Sequence, residues 1–190
     1  MKNMAKKKRL AIFDMDGTLF DTTEVNCRSY IEASRIAGYN IDVDDFKTIY
    51  TGKNYKEFLP ALGITDFCAM ERIHSMKKQL YSQYLYAAKK NLALFDLIYA
   101  IRAQYIIALA TTASKKNTMD ILRYFDVEYL FEIIITQEST NNLKPDPECY
   151  LLAMEFAGIG SEHTIIFEDS EVGLLAAKRS GAYPIHILKC

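Results

Sequence analysis

Short apolar runs recur along the chain, separated by polar or turn-forming residues. They have the length of β-strands and mostly lack alternation, which is typical of strands buried on both faces of a parallel sheet. The runs are Leu10–Phe13, Tyr105–Ala110, Glu132–Ile135, Thr164–Phe167 and Tyr183–Leu188. Helical periodicity is found between the later runs, at Asn117–Phe125, Glu148–Ala157 and Val172–Arg179. Strands that alternate with helices predict an α/β fold with a doubly wound, mostly parallel sheet.

The stretch from about residue 22 to residue 90 does not alternate strands with helices, because it shows helical patterns and no convincing strand. Apolar side chains recur at spacings of three and four, as on one face of a long helix, at Ile73, Met76, Leu80 and Tyr84. Shorter helices are predicted at Thr22–Ala37 and Tyr55–Leu62. We therefore expect a discontinuous α/β core domain of residues 1–20 and 91–190, with a helical domain of residues 21–90 inserted into it.

Composition and charge exclude several classes of protein. Half of the residues are hydrophobic and 25% are charged, a balance that favours a folded core over disorder. The 23 basic and 24 acidic residues give a net charge of −1, so no overall positive field attracts nucleic acid. The four cysteines are far apart and form no C-x-x-C pair, which favours reduced thiols over a zinc or disulfide framework. We expect no nucleic-acid partner.

The sequence also argues against export and against a membrane partner. The lysine-rich start, interpreted as a solvated tail, is followed by only the apolar run Leu10–Phe13, far shorter than a secretory signal needs. The apolar stretch Leu92–Ala110 is interrupted by Asp96 and Arg102, so it does not have the pattern of a membrane span. The expectation is a cytoplasmic protein that is a monomer or a weak dimer.

Two pairs of carboxylates directly follow predicted strands. Asp14 and Asp16 follow the first strand, and Glu168 and Asp169 follow the fourth. Because the carboxyl ends of parallel strands meet at one edge of a sheet, we expect these side chains to lie close together. A turn or a helix cap explains a single residue of either pair, but four carboxylates at one edge repel one another unless a hard cation lies among them. The sequence therefore predicts a magnesium site.

Hydroxyl and lysine side chains follow two further strands. Thr111 and Thr112 come after Tyr105–Ala110, and Lys144 follows the loop after the next strand. Hydroxyls and neighbouring backbone amides can hold phosphoryl oxygens, and a lysine offsets negative charge. Taken singly, Lys144 is an ordinary surface lysine, and Ser114 is the cap of the following helix.

Together these four segments resemble, in order, the four motifs of the haloacid dehalogenase-like hydrolase superfamily. The matching residues are DMDGT at 14–18, Thr111 after an apolar strand, Lys144 within LKPDP, and FEDS at 167–170. The similarity is nearest to the phosphoglycolate phosphatase and β-phosphoglucomutase branch, through residues 165–170 and 176–182. The resemblance implies a Rossmann-like core with an inserted helical cap domain, Mg²⁺ as the cofactor, and a small phosphorylated metabolite as the substrate.

The resemblance also implies the roles of the carboxylates. Asp14 is expected to be the nucleophile that forms an aspartyl-phosphate, and Asp16 the general acid and then the general base. Mg²⁺ is expected to be bound by Asp14, the backbone carbonyl of Asp16, and Asp169, with Glu168 in a water-mediated outer position. Dehalogenases of the superfamily lack the second aspartate, so Asp16 indicates phosphoryl transfer.

The remaining matched residues are expected to bind the phosphoryl group. Thr111 and Lys144 would hold its oxygens, and Lys144 would also keep Asp14 ionised. The backbone amides of Met15 and Thr112 are further candidate donors.

In the cap, the resemblance leaves the substrate open. Mutases of this branch bind a second phosphate with a basic cap residue, and Tyr55 stands at that position here. Lys53 or Lys56 could substitute for it. The expected function is therefore a Mg²⁺-dependent phosphatase, with a β-phosphoglucomutase-like sugar phosphomutase as the first alternative and a non-catalytic binding or regulatory protein as the second.

Overall fold

The computed structural model describes residues 9–50 and 54–188, and the chain folds into two compact units. One unit comprises the residues up to Asp21 together with those from Lys89 onward, and the other is Thr22–Ala88. The lysine-rich start and Lys53 lie outside the described residues.

In the described part of the first unit, five parallel strands form one sheet in the order β5-β4-β1-β6-β7. The strands are β1 (Arg9–Phe13), β4 (Tyr105–Ala110), β5 (Ile133–Ile135), β6 (Thr164–Glu168) and β7 (Tyr183–His186). All five apolar runs of the sequence are strands, and the predicted α/β fold with a parallel sheet is confirmed. The central strand β1 lies between β4 and β6, so its carboxyl end opens at the middle of the sheet edge.

The central strands β1, β4 and β6 are largely buried on both faces, as their continuous apolar sequences require, whereas the edge strand β7 is mostly exposed. On one face Leu10, Ile12 and Ile166 pack in a core cluster with Tyr150 and Ala176 from two helices. On the other face Phe13 and Phe167 stack with their ring centroids 4.4 Å apart. These contacts hold the carboxyl ends of β1 and β6 side by side.

Four helices are described around this sheet: α5 (Leu92–Ile101), α6 (Lys115–Tyr124), α7 (Glu148–Ala157) and α8 (Glu171–Arg179). Ser114 and Ser170 cap α6 and α8 through their side chains, and Gly158 ends α7 in the left-handed conformation with φ of 64°. The predicted helices are confirmed with end shifts of a few residues. Among the described residues, no helix combines the length and apolar character needed to cross a bilayer.

The unit Thr22–Ala88 is helical. Its helices are α1 (Thr23–Ile36), α2 (Val43–Tyr50), α3 (Tyr55–Ala61) and α4 (Phe67–Leu80), followed by a 3₁₀ helix at Tyr81–Ala87. Tyr30, Phe46, Phe58 and Ile73 belong to its core cluster, and the Tyr30 and Phe58 rings meet edge to face at 4.8 Å. The long helix ends at Leu80 rather than at Tyr84, and α2 has too few apolar positions to stand out in the sequence.

One expectation for this stretch is wrong, because residues 22–90 contain a strand. Lys89–Lys90 forms β3, which pairs in antiparallel fashion with β2 (Phe20–Asp21). This two-residue strand carries no hydrophobic pattern, so only its partner across the chain defines it. The ribbon lies where the chain leaves and re-enters the sheet-containing unit.

Candidate active site

Asp14 occupies the first position after β1. Its backbone N–H donates to the Phe167 carbonyl at 3.0 Å, so it continues the pairing of β1 with β6, and its side chain is buried. The chain then turns sharply at Gly17, whose φ of 90° favours glycine. A Cβ at Gly17 would also overlap the carboxylate of Asp169. The turn therefore brings the first motif against the last one.

Lys144 lies at the centre of the site. Its Nζ is 2.6 Å from Asp14 Oδ1 and 2.7 Å from Glu168 Oε1, and it also donates to the Ala110 carbonyl at 3.3 Å. The side chain is only 6% exposed. The simpler alternative of a surface lysine is therefore wrong: Lys144 is a buried cation shared by two carboxylates.

The loop that carries Lys144 is held by its own hydrogen bonds. The Glu148 carboxylate accepts from the backbone N–H groups of Asn141 at 2.9 Å and Asn142 at 2.7 Å. Arg179 donates to the Pro145 carbonyl at 3.0 Å. These contacts hold the loop on both sides of Lys144.

Glu168 ends β6 and is enclosed on all sides. Its Oε1 accepts from Lys144 and from the Tyr150 hydroxyl at 3.1 Å. Its Oε2 accepts from the Ser170 backbone N–H at 2.8 Å and from the Ser170 hydroxyl at 3.0 Å. Its carboxylate lies against Gly173 of α8, so closely that a Cβ at Gly173 would overlap it.

Asp14, Glu168 and Asp169 form an acidic cluster in which one carboxylate oxygen from each residue lies within 4.8 Å of the other two. Thr18 donates to Asp169 Oδ1 at 3.1 Å and orients that carboxylate. Among the described residues, the group with metal-binding spacing does not include the Asp16 carboxylate, and Asp16 is half-buried beside it. The cluster thus offers hard oxygen ligands at the carboxyl end of the sheet.

The charges of the cluster perturb one another strongly. Burial raises the pKa of Asp14 well above its usual value, and Lys144 only partly opposes this. For Glu168, burial raises the pKa, but Lys144 and Ser170 outweigh it and leave the pKa lowered. For Lys144, burial lowers the pKa, but Asp14, Tyr150 and Glu168 outweigh it and leave it raised well above the usual value. Lys144 and Glu168 are therefore a stable ion pair, whereas Asp14 needs further positive charge to be fully ionised.

The predicted phosphoryl-binding residues lie on the same edge. Thr111 continues β4, with its N–H donating to the Ile135 carbonyl at 3.0 Å, and its hydroxyl accepts from the Ala113 N–H at 3.1 Å. Thr112 is exposed in the loop before α6. The Met15 side chain is buried, which leaves only its backbone for ligand contact. Ser114 caps α6, as expected.

The proposed cap contacts lie in the other unit. Lys56 is in α3, with its Nζ 3.5 Å from Glu71 Oε1. The Tyr55 hydroxyl donates to the same oxygen at 2.6 Å, and its ring stacks on His74 at 3.9 Å. Lys56 is therefore paired within its own unit, and Lys53 lies outside the described residues.

Several residues of the site escaped the sequence reasoning. Tyr150 stood out only as an apolar position of a helix, and Gly173 carried no signal. Thr18 and Ser170 lie within the matched motifs but received no role toward Asp169 and Glu168. The contacts of these four residues join segments that are distant in the sequence. The position of Tyr150 soon after the Lys144 loop was the one local signal that it could contact the site.

Comparison with known proteins agrees with this arrangement. The profile of the family described as haloacid dehalogenase-like hydrolase matches residues 11–187. A phosphorylated carbohydrates phosphatase of Thermotoga maritima is 33% identical over 92% of this chain and 82% of its own length. A validoxylamine A 7'-phosphate phosphatase of Streptomyces hygroscopicus subsp. limoneus is 26% identical over 92% of this chain and 83% of its own length.

Among solved structures, CbbY from Rhodobacter sphaeroides in complex with phosphate superposes with a TM-score of 0.82 at 26% identity, covering 95% of this chain and 86% of that chain. The sequence relatives, the structural neighbour and the family profile all span nearly the whole chain. The chain belongs to the haloacid dehalogenase-like hydrolase family.

Proposed function

We propose that this chain is a phosphatase that hydrolyses the phosphomonoester of a small phosphorylated compound through an aspartyl-phosphate on Asp14. The observation that carries the proposal is the buried Asp14 carboxylate, held 2.6 Å from the Lys144 ammonium beside Glu168 and Asp169. Such a cluster contributes little to stability, because the desolvation of buried charges offsets the attraction between them. It does provide a nucleophile, a cation and metal ligands in one place.

Asp14 is the proposed nucleophile. An oxygen of its carboxylate attacks phosphorus, the bond to the ester oxygen breaks, and the phosphoryl group is transferred to Asp14. Water then attacks the aspartyl-phosphate and releases inorganic phosphate, which restores the carboxylate. One difficult displacement is thereby split into two easier ones.

Asp16 is the proposed general acid and base. It is half-buried two residues after the nucleophile and is not part of the acidic cluster formed by Asp14, Glu168 and Asp169. In the first step it gives a proton to the leaving ester oxygen. In the second step it takes a proton from the attacking water, so the carboxyl returns to its starting form.

Lys144 and Thr111 are the proposed ligands of the phosphoryl oxygens, with backbone N–H groups of Met15 and Thr112 as further donors. Lys144 is ideally placed for this role, because its Nζ already contacts the oxygen of the nucleophile. A fixed ammonium group stabilises negative charge that develops on the phosphoryl oxygens during transfer.

The residues present fit a divalent cation such as Mg²⁺. When all three carboxylates are ionised, their negative charge exceeds the charge of the single ammonium by two, and a divalent cation balances that excess. Asp14 and Asp169 would hold the ion, together with the backbone carbonyl of Asp16. Glu168, expected in an outer position, already accepts four hydrogen bonds from the protein and would contribute its negative charge. When bound, the ion supplies positive charge that favours ionised Asp14 and neutralises the phosphoryl group.

The relatives guide the class of substrate. They include a phosphorylated carbohydrates phosphatase and a validoxylamine A 7'-phosphate phosphatase, so we propose that the substrate is a small phosphorylated compound such as a phosphorylated carbohydrate. A phosphomutase would need a second phosphate site, and Lys56, a candidate for that contact, is paired with Glu71. Incubation with β-glucose 1-phosphate distinguishes the two: hydrolysis releases phosphate, and mutase action interconverts sugar phosphates with little release.

The test is phosphate release from a panel of phosphorylated metabolites in the presence of Mg²⁺, with wild type compared with Asp14→Asn. The variant should lose all activity while it keeps its fold, because an amide is not a nucleophile. Asp126→Asn is the matched control, since it makes the same change at an exposed residue with φ of 52° that asparagine also tolerates. An active Asp14→Asn variant would refute the assignment of Asp14 as the nucleophile. No release by the wild type, together with no stabilisation by Mg²⁺, would favour a non-catalytic role.

A further inference from the structure

Tyr150 is a fully buried tyrosine below the active-site lysine. It lies in the first turn of α7, is 0% exposed, and donates its hydroxyl to Glu168 Oε1 at 3.1 Å. Its ring centroid is 4.9 Å from the Lys144 ammonium. The same side chain therefore contacts both partners of the Lys144–Glu168 ion pair.

The Glu168 carboxylate has no spare acceptor position. A carboxylate offers about four lone-pair sites, and Glu168 uses them for Lys144, Tyr150, and the N–H and hydroxyl of Ser170. Gly173 closes the remaining side. Glu168 cannot rotate without breaking one of these bonds, so it is a rigid anchor for Lys144.

Lys144 depends on that anchor for its position. Its other contacts are Asp14 Oδ1, the carboxylate proposed to react, and the Ala110 carbonyl at the longer distance of 3.3 Å. When Asp14 receives the phosphoryl group, its charge and its contact with Lys144 change. Glu168 and the Tyr150 ring then remain to hold the ammonium group in place.

We propose that Tyr150 is a positioning residue: its hydroxyl fixes Glu168 and its ring supports Lys144, so that the ammonium stays aligned on Asp14 during phosphoryl transfer. This inference rests on the proposed function. Tyr150 does not touch the reacting atoms and acts through Glu168 and Lys144. A small displacement of a group that stabilises the transition state is costly, because the interaction is strong only at the correct distance.

A role in packing alone makes a different prediction. The ring of Tyr150 fills space in the core cluster of the sheet, and Tyr150→Phe retains that ring. If packing were the whole role, Tyr150→Phe would lower the unfolding temperature somewhat and leave the turnover of the folded enzyme unchanged. Turnover below the unfolding transition therefore separates the two roles.

The experiment measures kcat and KM of wild type, Tyr150→Phe and Tyr99→Phe on p-nitrophenyl phosphate with saturating Mg²⁺. Tyr150→Phe should lower kcat about tenfold and change KM less than about twofold, because the lost contact supports a group that acts in the transition state. Tyr99→Phe is the matched control, since it removes an exposed hydroxyl that forms a hydrogen bond with the Tyr129 hydroxyl at 3.1 Å. It should keep wild-type kcat.

A wild-type kcat in Tyr150→Phe overturns the inference. Glu168→Gln provides a second test that does not depend on the stability of the Phe variant. It keeps an acceptor for Tyr150 but removes the charge that holds Lys144, so it should lower kcat at least as much, and full activity overturns the inference. A wild-type chain that releases no phosphate refutes the proposed function, and the role of Tyr150 falls with it; an active wild type with an unaffected Tyr150→Phe refutes only the role of Tyr150.

Discussion

Gly173→Ala tests whether the Glu168 anchor is as tightly packed as the structure shows. Gly173 lies in the first turn of α8, where alanine is ordinarily preferred to glycine by about 0.5–1 kcal/mol. Here the new Cβ would overlap the carboxylate of Glu168, which is 1% exposed. Overpacking costs about 1–3 kcal/mol, and a lost hydrogen bond to a charged group costs about 1.5–3 kcal/mol. The cost exceeds the gain in helix propensity.

We therefore expect Gly173→Ala to lower the free energy of unfolding by about 2–4 kcal/mol and the melting temperature by about 5–10 °C. Phosphatase activity should fall as well, because Glu168 would be displaced from Lys144. Circular dichroism during thermal and urea unfolding, with activity measured at a temperature where both proteins are folded, provides the two readouts.

Gly160→Ala is the matched control. A Cβ there would meet the carboxylate of Glu162, but the Glu162 side chain is 68% exposed and free to move. Gly160 has φ of −74°, which alanine adopts readily. This variant should be within about 1 kcal/mol of wild type or slightly more stable. A Gly173→Ala protein that is as stable and as active as Gly160→Ala would refute the reasoning.

Two further predictions concern metal binding and acid stability. Thr18→Val should raise the Mg²⁺ concentration for half-maximal thermal stabilisation about tenfold, because Asp169 loses the donor that orients it; an unchanged Mg²⁺ titration would contradict this. Burial, with Lys78 and Lys77, lowers the pKa of His74 to about 4. Between pH 6.5 and 4 the unfolded chain therefore binds more protons than the folded chain, and the free energy of unfolding decreases as the pH is lowered. After allowance for partial exposure, His74 should contribute about 1–2 kcal/mol to this loss. Urea unfolding at pH 7 and pH 4.5 should therefore show a larger loss in wild type than in His74→Gln by that amount, and equal losses would contradict the prediction.

The central strands β1, β4 and β6 were predictable because they are largely buried on both faces. Continuous apolar runs such as Leu10–Phe13 and Tyr105–Ala110 have few other uses in a chain of this composition, and each of the five runs identified in the sequence contains a strand. The ribbon of Phe20–Asp21 with Lys89–Lys90 was not predictable. Its strands are two residues long and polar in part, so their pairing depends on where the rest of the chain brings them.

The candidate site divides in the same way. Asp14, Glu168 and Asp169 directly follow buried strands, so their common edge follows from the direction of the strands alone, and the structure brings their oxygens within 4.8 Å. Their chemical roles remain proposals. The family resemblance alone led us to expect Lys144 beside Asp14, because the two residues are 130 positions apart along the chain. The bonds of Glu168 to Lys144 and Tyr150 were not predicted.

The sequence by itself determined the fold class, the edge of the sheet at which the carboxylates collect, and the family of the chain. These properties follow from local patterns, since a buried strand and the residue after it are adjacent in the chain. The tertiary structure alone decided that Lys144 is buried between two carboxylates, that Tyr150 supports both members of that pair, and that Gly173 leaves room for Glu168. Burial, charge pairing and close packing are properties of atoms that meet only when distant segments fold together, and no local pattern records them.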